Sequence, residues 1–262
     1  MHNERQSGII RYLSEQKFAR IEQLAEQFAV SPETIRRDLL DLEKDSSVKR
    51  VRGGAVFNNL RAQEVAYQKR MENNPREKLA IAHLACEYIN DGEALALSNG
   101  TATLALARCL VRQKEKLTVV TNSPEIAMVL NENPTHSVYL TSGYLRKHNK
   151  SLVGSICQEC LGSFRVDKAA VSIDGVSIRD GITEYNSEEA AVLKKMLGIA
   201  HTRMVLCEFS RFREVALNRV CPAGQIDYIF TDWNISSREI REWSDIGVKV
   251  LAAQQGDNCM KS

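Results

Sequence analysis

The sequence predicts an α/β protein of two domains, a small helical one followed by a larger one built on a mostly parallel sheet. Three observations carry this. The first 45 or so residues repeat apolar positions at helical spacing in three short blocks. A Gly-Gly pair inside an alternating apolar and basic stretch follows them. From Leu79 onward short apolar runs alternate with helical patterns, the rhythm of strands and covering helices in a layered α/β domain.

Ile9, Ile10 and Leu13 mark one face of a first helix, with Arg5, Arg11 and Glu15 on the other. Lys17 to Arg20 reads as a short break, and Ile21, Leu24, Ala25 and Phe28 as the face of a second helix. Ala29 and Val30 form a tight turn. Ser31–Pro32 opens a third helix, because Ser caps a helix start well and Pro suits its first position. Ile35, Leu39 and Leu42 are its buried stripe. Val48 to Val56 then reads as a small hairpin around Gly53-Gly54. Three short helices, the last two joined by a tight turn, then a basic hairpin: this is a winged helix-turn-helix pattern, over residues 1–56.

Residues 57–78 are polar and mixed in charge and read as a linker, partly helical between Arg61 and Glu72. Residues 79–253 form the larger domain. Strands are expected at Ala94–Leu97, Leu117–Thr121, Ser137–Ser142, Ala169–Ile173, Met204–Cys207, Tyr228–Thr231 and Val248–Ala252. Helices are expected at Thr101–Val111, Pro124–Asn131, Ser187–Ile199 and Ser236–Asp245. Residues 254–262 read as a tail.

The chain of 262 residues carries 35 Lys+Arg against 33 Asp+Glu, so bulk charge does not point to a protein that coats nucleic acid. A helix docked in one groove needs only a few placed cations. No apolar run reaches the length of a membrane span, and the polar, mixed-charge N-terminus is unlike a signal peptide. Seven scattered Cys then read as reduced thiols of a cytoplasmic protein. Cys157 and Cys160 have the spacing of a metal or redox motif, but there is no second pair. With Ile156 and Leu161 beside them they read as a packed helix face. No metal, cofactor or catalytic residue is expected.

On the third helix, Ile35 and Leu39 turn inward and leave Glu33, Thr34, Arg36 and Arg37 on the outer face of its first turns. That end of the second helix of a helix-turn-helix enters the major groove. An Arg can fork onto guanine, and Thr34 can meet a base edge or thymine methyl. Ser31 and the helix-start amides suit a phosphate oxygen. In the hairpin, Lys49, Arg50 and Arg52 can lie along the DNA backbone or enter the minor groove. Residues 1–56 nevertheless hold ten Lys/Arg against nine Asp/Glu, so this domain has almost no net charge. A single helix-turn-helix offers little contact area, so a homodimer or homotetramer on repeated half-sites is expected.

Two polar loops stand after successive strands of the larger domain. Ser98-Asn99-Gly100-Thr101-Ala102-Thr103 and Thr121-Asn122-Ser123 could cradle a phosphate or a hydroxyl-rich ligand with backbone donors and hydroxyls. Ligands of open α/β sheets bind beyond the carboxyl ends of the strands, where both loops lie.

The string SPETIRRDLLDLE, followed by KRVRGGAV, closely resembles the signature of the DeoR family of bacterial regulators. The paired arginines, Asp38 and the Gly-Gly wing stand where that family has them; Ser46-Ser47 departs from its more usual Gly. The resemblance extends over most of the chain through Ser142-Gly143, Leu145-Arg146, Ser151, Gly154, Asp174-Gly175, Gly181, Asn186 to Ala191 with Lys194, and Glu208 to Phe212. It implies a domain similar to sugar-phosphate isomerases, in which a sugar-derived, phosphorylated effector alters DNA affinity. It adds Gly143, Arg146, Glu188, Glu208 and Arg211 to the effector candidates, with Arg146, Lys150 and Arg211 the cations for an anionic group. Three departures mark the pocket. Relatives commonly have Asp where Ser98 stands, Gly-Gly for Ser142-Gly143, and Asp-x-Ser-Lys for Glu208 to Arg211. The reading implied is a repressor of a carbohydrate operon, binding duplex DNA and a small effector. The alternative is an isomerase-like enzyme with a DNA-binding head, using Glu188, Glu208 and an amine. That reading is weakened by Arg211, which does not readily give or take a proton.

Overall fold

The structure, a computed structural model, describes residues 4–16, 18–44, 48–51, 53–57 and 67–256, with the backbone alone at positions 4, 7, 11, 14, 15, 44, 49, 56, 57, 68 and 69. Two compact units divide the chain, Met1–Glu64 and Val65–Ser262.

The first unit runs α1 (Glu4–Gln16), β1 (Phe18–Arg20), α2 (Ile21–Gln27), α3 (Pro32–Lys44), β2 (Val48–Val51) and β3 (Gly54–Phe57). Ile9, Leu13, Leu24, Ile35, Leu39 and Leu42 close on one another with no exposed surface. The expected stripe of α3 is therefore the core. Ala29 takes φ +51 between α2 and α3, and the Val30 amide donates to the Ala25 carbonyl at 3.0 Å, which fixes the tight turn. The expected break at Lys17 to Arg20 is corrected. Phe18 to Arg20 are a strand, and β1 joins β3 and β2 in an antiparallel sheet of order β1-β3-β2. Gly54 permits that pairing, since a Cβ there would stand 2.3 Å from the Ala19 carbonyl oxygen. Gly53 takes the hairpin turn at φ +83, open only cheaply to Gly.

The second unit opens with α4 (Tyr67–Glu72) and α5 (Pro75–Glu87), where the sequence suggested a linker as far as Lys78. Then come β4 (Ala94–Leu97), α6 (Thr101–Gln113), β5 (Thr118–Thr121), α7 (Pro124–Leu130) and β6 (Ser137–Leu140). A hairpin of β7 (Tyr144–Arg146) and β8 (Ser151–Val153) precedes α8 (Ser155–Gly162) and β9 (Val166–Ser172). The chain continues through β10 (Gly175–Ser177), β11 (Gly181–Glu184), α9 (Ser187–Ile199), β12 (Ala200–Leu206), the 3-10 turn Phe209–Arg211 and β13 (Asn218–Cys221). It closes with β14 (Tyr228–Thr231), α10 (Ser237–Ser244) and β15 (Lys249–Ala252).

Seven strands form one sheet in the order β15-β14-β12-β9-β4-β5-β6, every pairing parallel. Both faces are covered, and side chains alternate between them as the pleat requires. Leu95, Leu97, Met204, Leu206 and Phe230 pack with α5, α6 and α7. Ala96, Val171, Val205, Ile229 and Val250 pack with α8, α9 and α10. The chain winds outward from β4 through β5 and β6, then returns to β9 on the other side of β4. That reversal opens a crevice at the carboxyl ends of β4 and β9, the place where such sheets bind ligands. A second sheet, β10-β11-β13, is antiparallel and went unforeseen. Cys157 and Leu161 are the buried part of α8, Cys157 with its thiol pushed up by burial and bonded to Thr141 at 3.4 Å, whereas Cys160 is half-buried and Ile156, expected on the packed face, is exposed.

Candidate functional site

In the first unit, the start of α3 presents the residues singled out for DNA. Ser31 Oγ accepts from the Thr34 amide at 3.2 Å and shares a hydrogen bond with Thr34 Oγ1 at 2.9 Å, so it is the N-cap. Glu33, Arg36 and Arg37 are exposed and Thr34 is half-buried. Arg36 is bonded to Glu33 one turn back at 2.9 Å. Arg37 is exposed and makes no ion pair among the described residues. Asp38 points the other way: it is buried and accepts from Arg5 Nε at 2.7 Å, tying α3 to α1. Its hydrogen bond, then its charge, hold the Arg5 guanidinium above its ordinary value. On β2, Arg50 donates to Glu43 of α3 at 2.7 Å, which packs the wing against the helix. The Lys49 side chain, Arg52 and Ser46-Ser47 lie outside the described residues.

In the second unit a polar cavity opens at the β4/β9 crevice. Arg70, Asn99, Gly100, Thr101, Asn149, Ser172, Glu184, Glu189, Glu208 and Arg211 are its polar lining. Its empty volume, including the part open to solvent, is about 480 Å³. Asn149, in the β7–β8 turn, organises it. Its Oδ1 accepts from Arg70 at 2.7 Å, its Nδ2 donates to Glu189 at 3.3 Å, and its carbonyl accepts from Asn99 Nδ2 at 3.0 Å. Asp174, at the end of β9, lies 3.5 Å from Arg70 and 3.9 Å from Arg211. Arg146 pairs with Glu189 at 3.0 Å, and Ser151 donates to the same carboxylate. Lys78, on α5, lies 3.5 Å from Glu208 and donates to the carbonyl of Arg70.

Burial dominates the electrostatics. Glu184 is pushed well above the usual carboxyl range, first by burial and then by the Asp174 charge beside it. The Tyr185 hydroxyl is pushed up to about 12 for the same two reasons. Burial lowers Lys78, against the pull of Glu208. Burial also works against the Arg211 guanidinium, but Asp174 and Glu208 outweigh it and hold it charged. The cavity can therefore offer two guanidiniums and the hydroxyl and amides at the start of α6 to an anion, and buried carboxyls to hydroxyl groups.

Of the residues expected from sequence, Asn99, Gly100, Thr101, Glu208 and Arg211 line this cavity. The others do not. Ser98 Oγ accepts from the Ser172 amide at 2.9 Å, and Thr103 Oγ1 donates to the Gly100 carbonyl at 3.1 Å. Asn122 Oδ1 accepts from the Asn99 amide at 2.8 Å, and so holds the first polar loop in place. Thr121 accepts from the Ser123 amide, and Ser123 caps α7. Gly143 permits a close approach to Val153, whose carbonyl a Cβ would meet at 2.5 Å. Arg146 reaches the cavity wall through Glu189, Lys150 is exposed, and Glu188 is exposed while its neighbour Glu189 is the buried carboxylate. Sequence reasoning missed Arg70, Lys78, Asn149, Glu184 and Glu189. Arg70 and Lys78 fall in the stretch read as linker, and Glu184 in an unforeseen strand.

The family described as DeoR C terminal sensor domain matches residues 73–233, and DeoR-like helix-turn-helix domain matches residues 5–61. The chain is 32% identical to HTH-type transcriptional repressor GlcR of Bacillus subtilis (strain 168), over 97% of each chain. It is 27% identical to the glycerol-3-phosphate regulon repressor of Escherichia coli (strain K12), over 87% of this chain and 90% of that one. Among solved structures it is similar to ribose 5-phosphate isomerase A from Methanocaldococcus jannaschii, at TM-score 0.41 and 17% identity over 54% of this chain and 56% of that one. With a helix-turn-helix unit and a layered α/β unit each matched over most of its length, the chain belongs to the DeoR family of DNA-binding transcriptional regulators.

Proposed function

We propose that this regulator is a cytoplasmic repressor of a carbohydrate-use operon, controlled by a small phosphorylated, sugar-derived effector bound in the β4/β9 cavity. The observation that carries the effector reading is the cavity's composition: Arg70 and Arg211 beside the Asn99 to Thr101 loop, faced by Glu184, Glu189 and Glu208. Guanidiniums and helix-start amides suit a phosphoryl group, and carboxyls suit sugar hydroxyls. On DNA, Ser31, Glu33, Thr34, Arg36 and Arg37 form the groove face, with Arg37 the leading base contact, and Lys49, Arg50 and Arg52 line the backbone. Two or four copies act together on repeated half-sites. Control follows from linkage: an effector that favours the arrangement unfit for DNA weakens DNA binding by the factor that DNA weakens effector binding.

Fluorescence anisotropy on a labelled duplex from the gene's own upstream region tests this, with pentose, hexose and triose phosphates titrated in. At least one compound should release the DNA at a concentration that also stabilises the protein thermally. If none shifts either readout, the effector reading fails. The enzyme alternative draws on one observation, the raised Glu184 carboxyl beside Asp174 in the same cavity. Turnover of pentose or hexose phosphates would support it; its absence is expected.

A further inference from the structure

Strand β6 ends the parallel sheet on one side, paired with β5 and with no other strand among the described residues. An open edge presents unpaired backbone N–H and C=O groups, and natural sheets blunt such edges with charge, above all lysine, or with proline. The opposite edge of this sheet is guarded in that way: Lys249 on β15 is exposed, and its ammonium lies over the Tyr228 ring at 5.5 Å. The β6 edge has no such guard. From Ser137 to Leu145 the chain carries neither a charged residue nor a proline. Arg146, which follows, turns away to pair with the buried Glu189.

The same stretch exposes large side chains. Tyr139, Leu140, Tyr144 and Leu145, with Ile156 at the start of α8, are between 46% and 63% exposed. Ile156 continues the patch because its neighbour Cys157 packs against the chain between Leu140 and Tyr144: the Cys157 thiol bonds to Thr141 at 3.4 Å, and a Cβ on Gly143 would stand 3.0 Å from Cys157 Cβ. Tyr139 is braced by Phe164 of the turn after α8, ring to ring at 5.4 Å. Five side chains exposed to this degree present on the order of 500 Å². That is most of the roughly 800 Å² that each partner gives to a standard interface. A continuous apolar patch of this size marks a contact surface.

We propose that the β6 edge, with Tyr139, Leu140, Tyr144, Leu145 and Ile156, is the surface on which a second copy of this chain docks about a two-fold axis. Close to such an axis a patch meets itself, so a charge there would face its own sign. The stretch from Ser137 to Leu145 has no charge to oppose, and its apolar area approaches what a stable pair needs; both fit a second copy. The proposal rests on the reading that two or four copies act together, and adds which face of the sensor unit joins them.

Sedimentation of the full chain without DNA tests it, with Leu140→Lys and Tyr144→Lys as variants. Wild type should sediment as a dimer or tetramer. Each variant should lower the assembly by one step, or weaken its association roughly tenfold or more, because like charges then meet across the axis. Hydrogen exchange over α9 should stay as slow as in wild type, which shows the fold intact. A wild-type assembly that both variants leave unchanged overturns the proposal, and the reading of several copies stands. A wild type that sediments as a single copy overturns both. Hydroxyl-radical labelling of the wild-type assembly gives a second readout that needs no variant. Tyr139 and Tyr144 should oxidise more slowly than Tyr88, although within one chain they are 49% and 63% exposed against 38% for Tyr88. The opposite order overturns the proposal.

Discussion

Replacing Gly100 by Ala tests whether the cavity's floor is as tightly built as its geometry requires. A Cβ at Gly100 would stand 2.3 Å from Ser172 Cβ and 2.4 Å from its Oγ. Carbon atoms in contact sit about 3.5–4.0 Å apart, so something must move by more than about 1 Å. Rotating the serine does not help, because its Cβ is fixed by the backbone of β9. That strand is paired on both sides, with β4 and β12. Nor is backbone strain involved: Gly100 is extended, at φ 163. Overpacking of this kind costs about 1–3 kcal/mol. For a unit of this size that is a fall of about 2–12 °C in melting temperature. Calorimetry of Gly100→Ala, Ser172→Gly and the double variant measures it. The double variant should be more stable than the two single losses predict, since the added methyl then fills the space the serine vacated. Additive losses would refute the steric argument. So would an unchanged melting temperature in Gly100→Ala.

Three further outcomes follow. Arg37→Ala should weaken operator binding by about 1–3 kcal/mol with little change in thermal stability, read by anisotropy and calorimetry on the same preparation; equal affinity would remove Arg37 from the groove. Ser31→Ala should cost the first unit about 1 kcal/mol through loss of the α3 cap, seen as faster exchange of the amides at 33–35, and no change there would sink the capping assignment. Glu184→Gln should alter pH dependence with a definite sign. Burial and Asp174 raise the folded carboxyl, so the native state holds a proton that the unfolded chain releases near pH 4.3, and wild type loses stability as pH rises from there through the raised folded value. The variant lacks that slope, so its stability relative to wild type in urea should improve from pH 5 to pH 8; parallel curves would refute it.

The parts of the fold written in long periodic segments were legible in the sequence. α3 announced itself by a Ser-Pro start and the Ile35, Leu39, Leu42 stripe, and α9 was placed at Ser187–Ile199 as found. The strands of the parallel sheet showed as apolar runs because both faces are covered. What escaped was short or antiparallel. β1 has three residues with only Ala19 turned inward, too few to show an alternation. β10, β11 and β13 have three or four residues each, and Glu184 on the second of them is buried by tertiary packing that no local pattern encodes. Of the cavity, the backbone loop Asn99 to Thr101 was visible because a polar turn between strand and helix is a local signal. Arg70 and Lys78 were not, since a cation in a mixed-charge stretch looks like any solvated residue until the chain brings it to Asp174 and Glu208.

Ion pairing in the DNA-binding unit bears on how the regulator works. Arg5 is bonded to Asp38, Arg36 to Glu33 and Arg50 to Glu43, each at 2.7 to 2.9 Å. Residues 1–56 are close to neutral before these pairs are considered. Non-specific attraction to DNA scales with the phosphates a protein neutralises, and cations that already face carboxylates contribute less to it. In the proposed oligomer the heads bind together, the second at the high effective concentration set by the first. That gain disappears when geometry prevents both heads from engaging together. In the proposed oligomer, an effector need not touch the DNA-binding face to abolish binding; changing how the heads are held is enough. A near-neutral head suits that arrangement, because the less each head attracts DNA by charge alone, the more the outcome depends on the sensor.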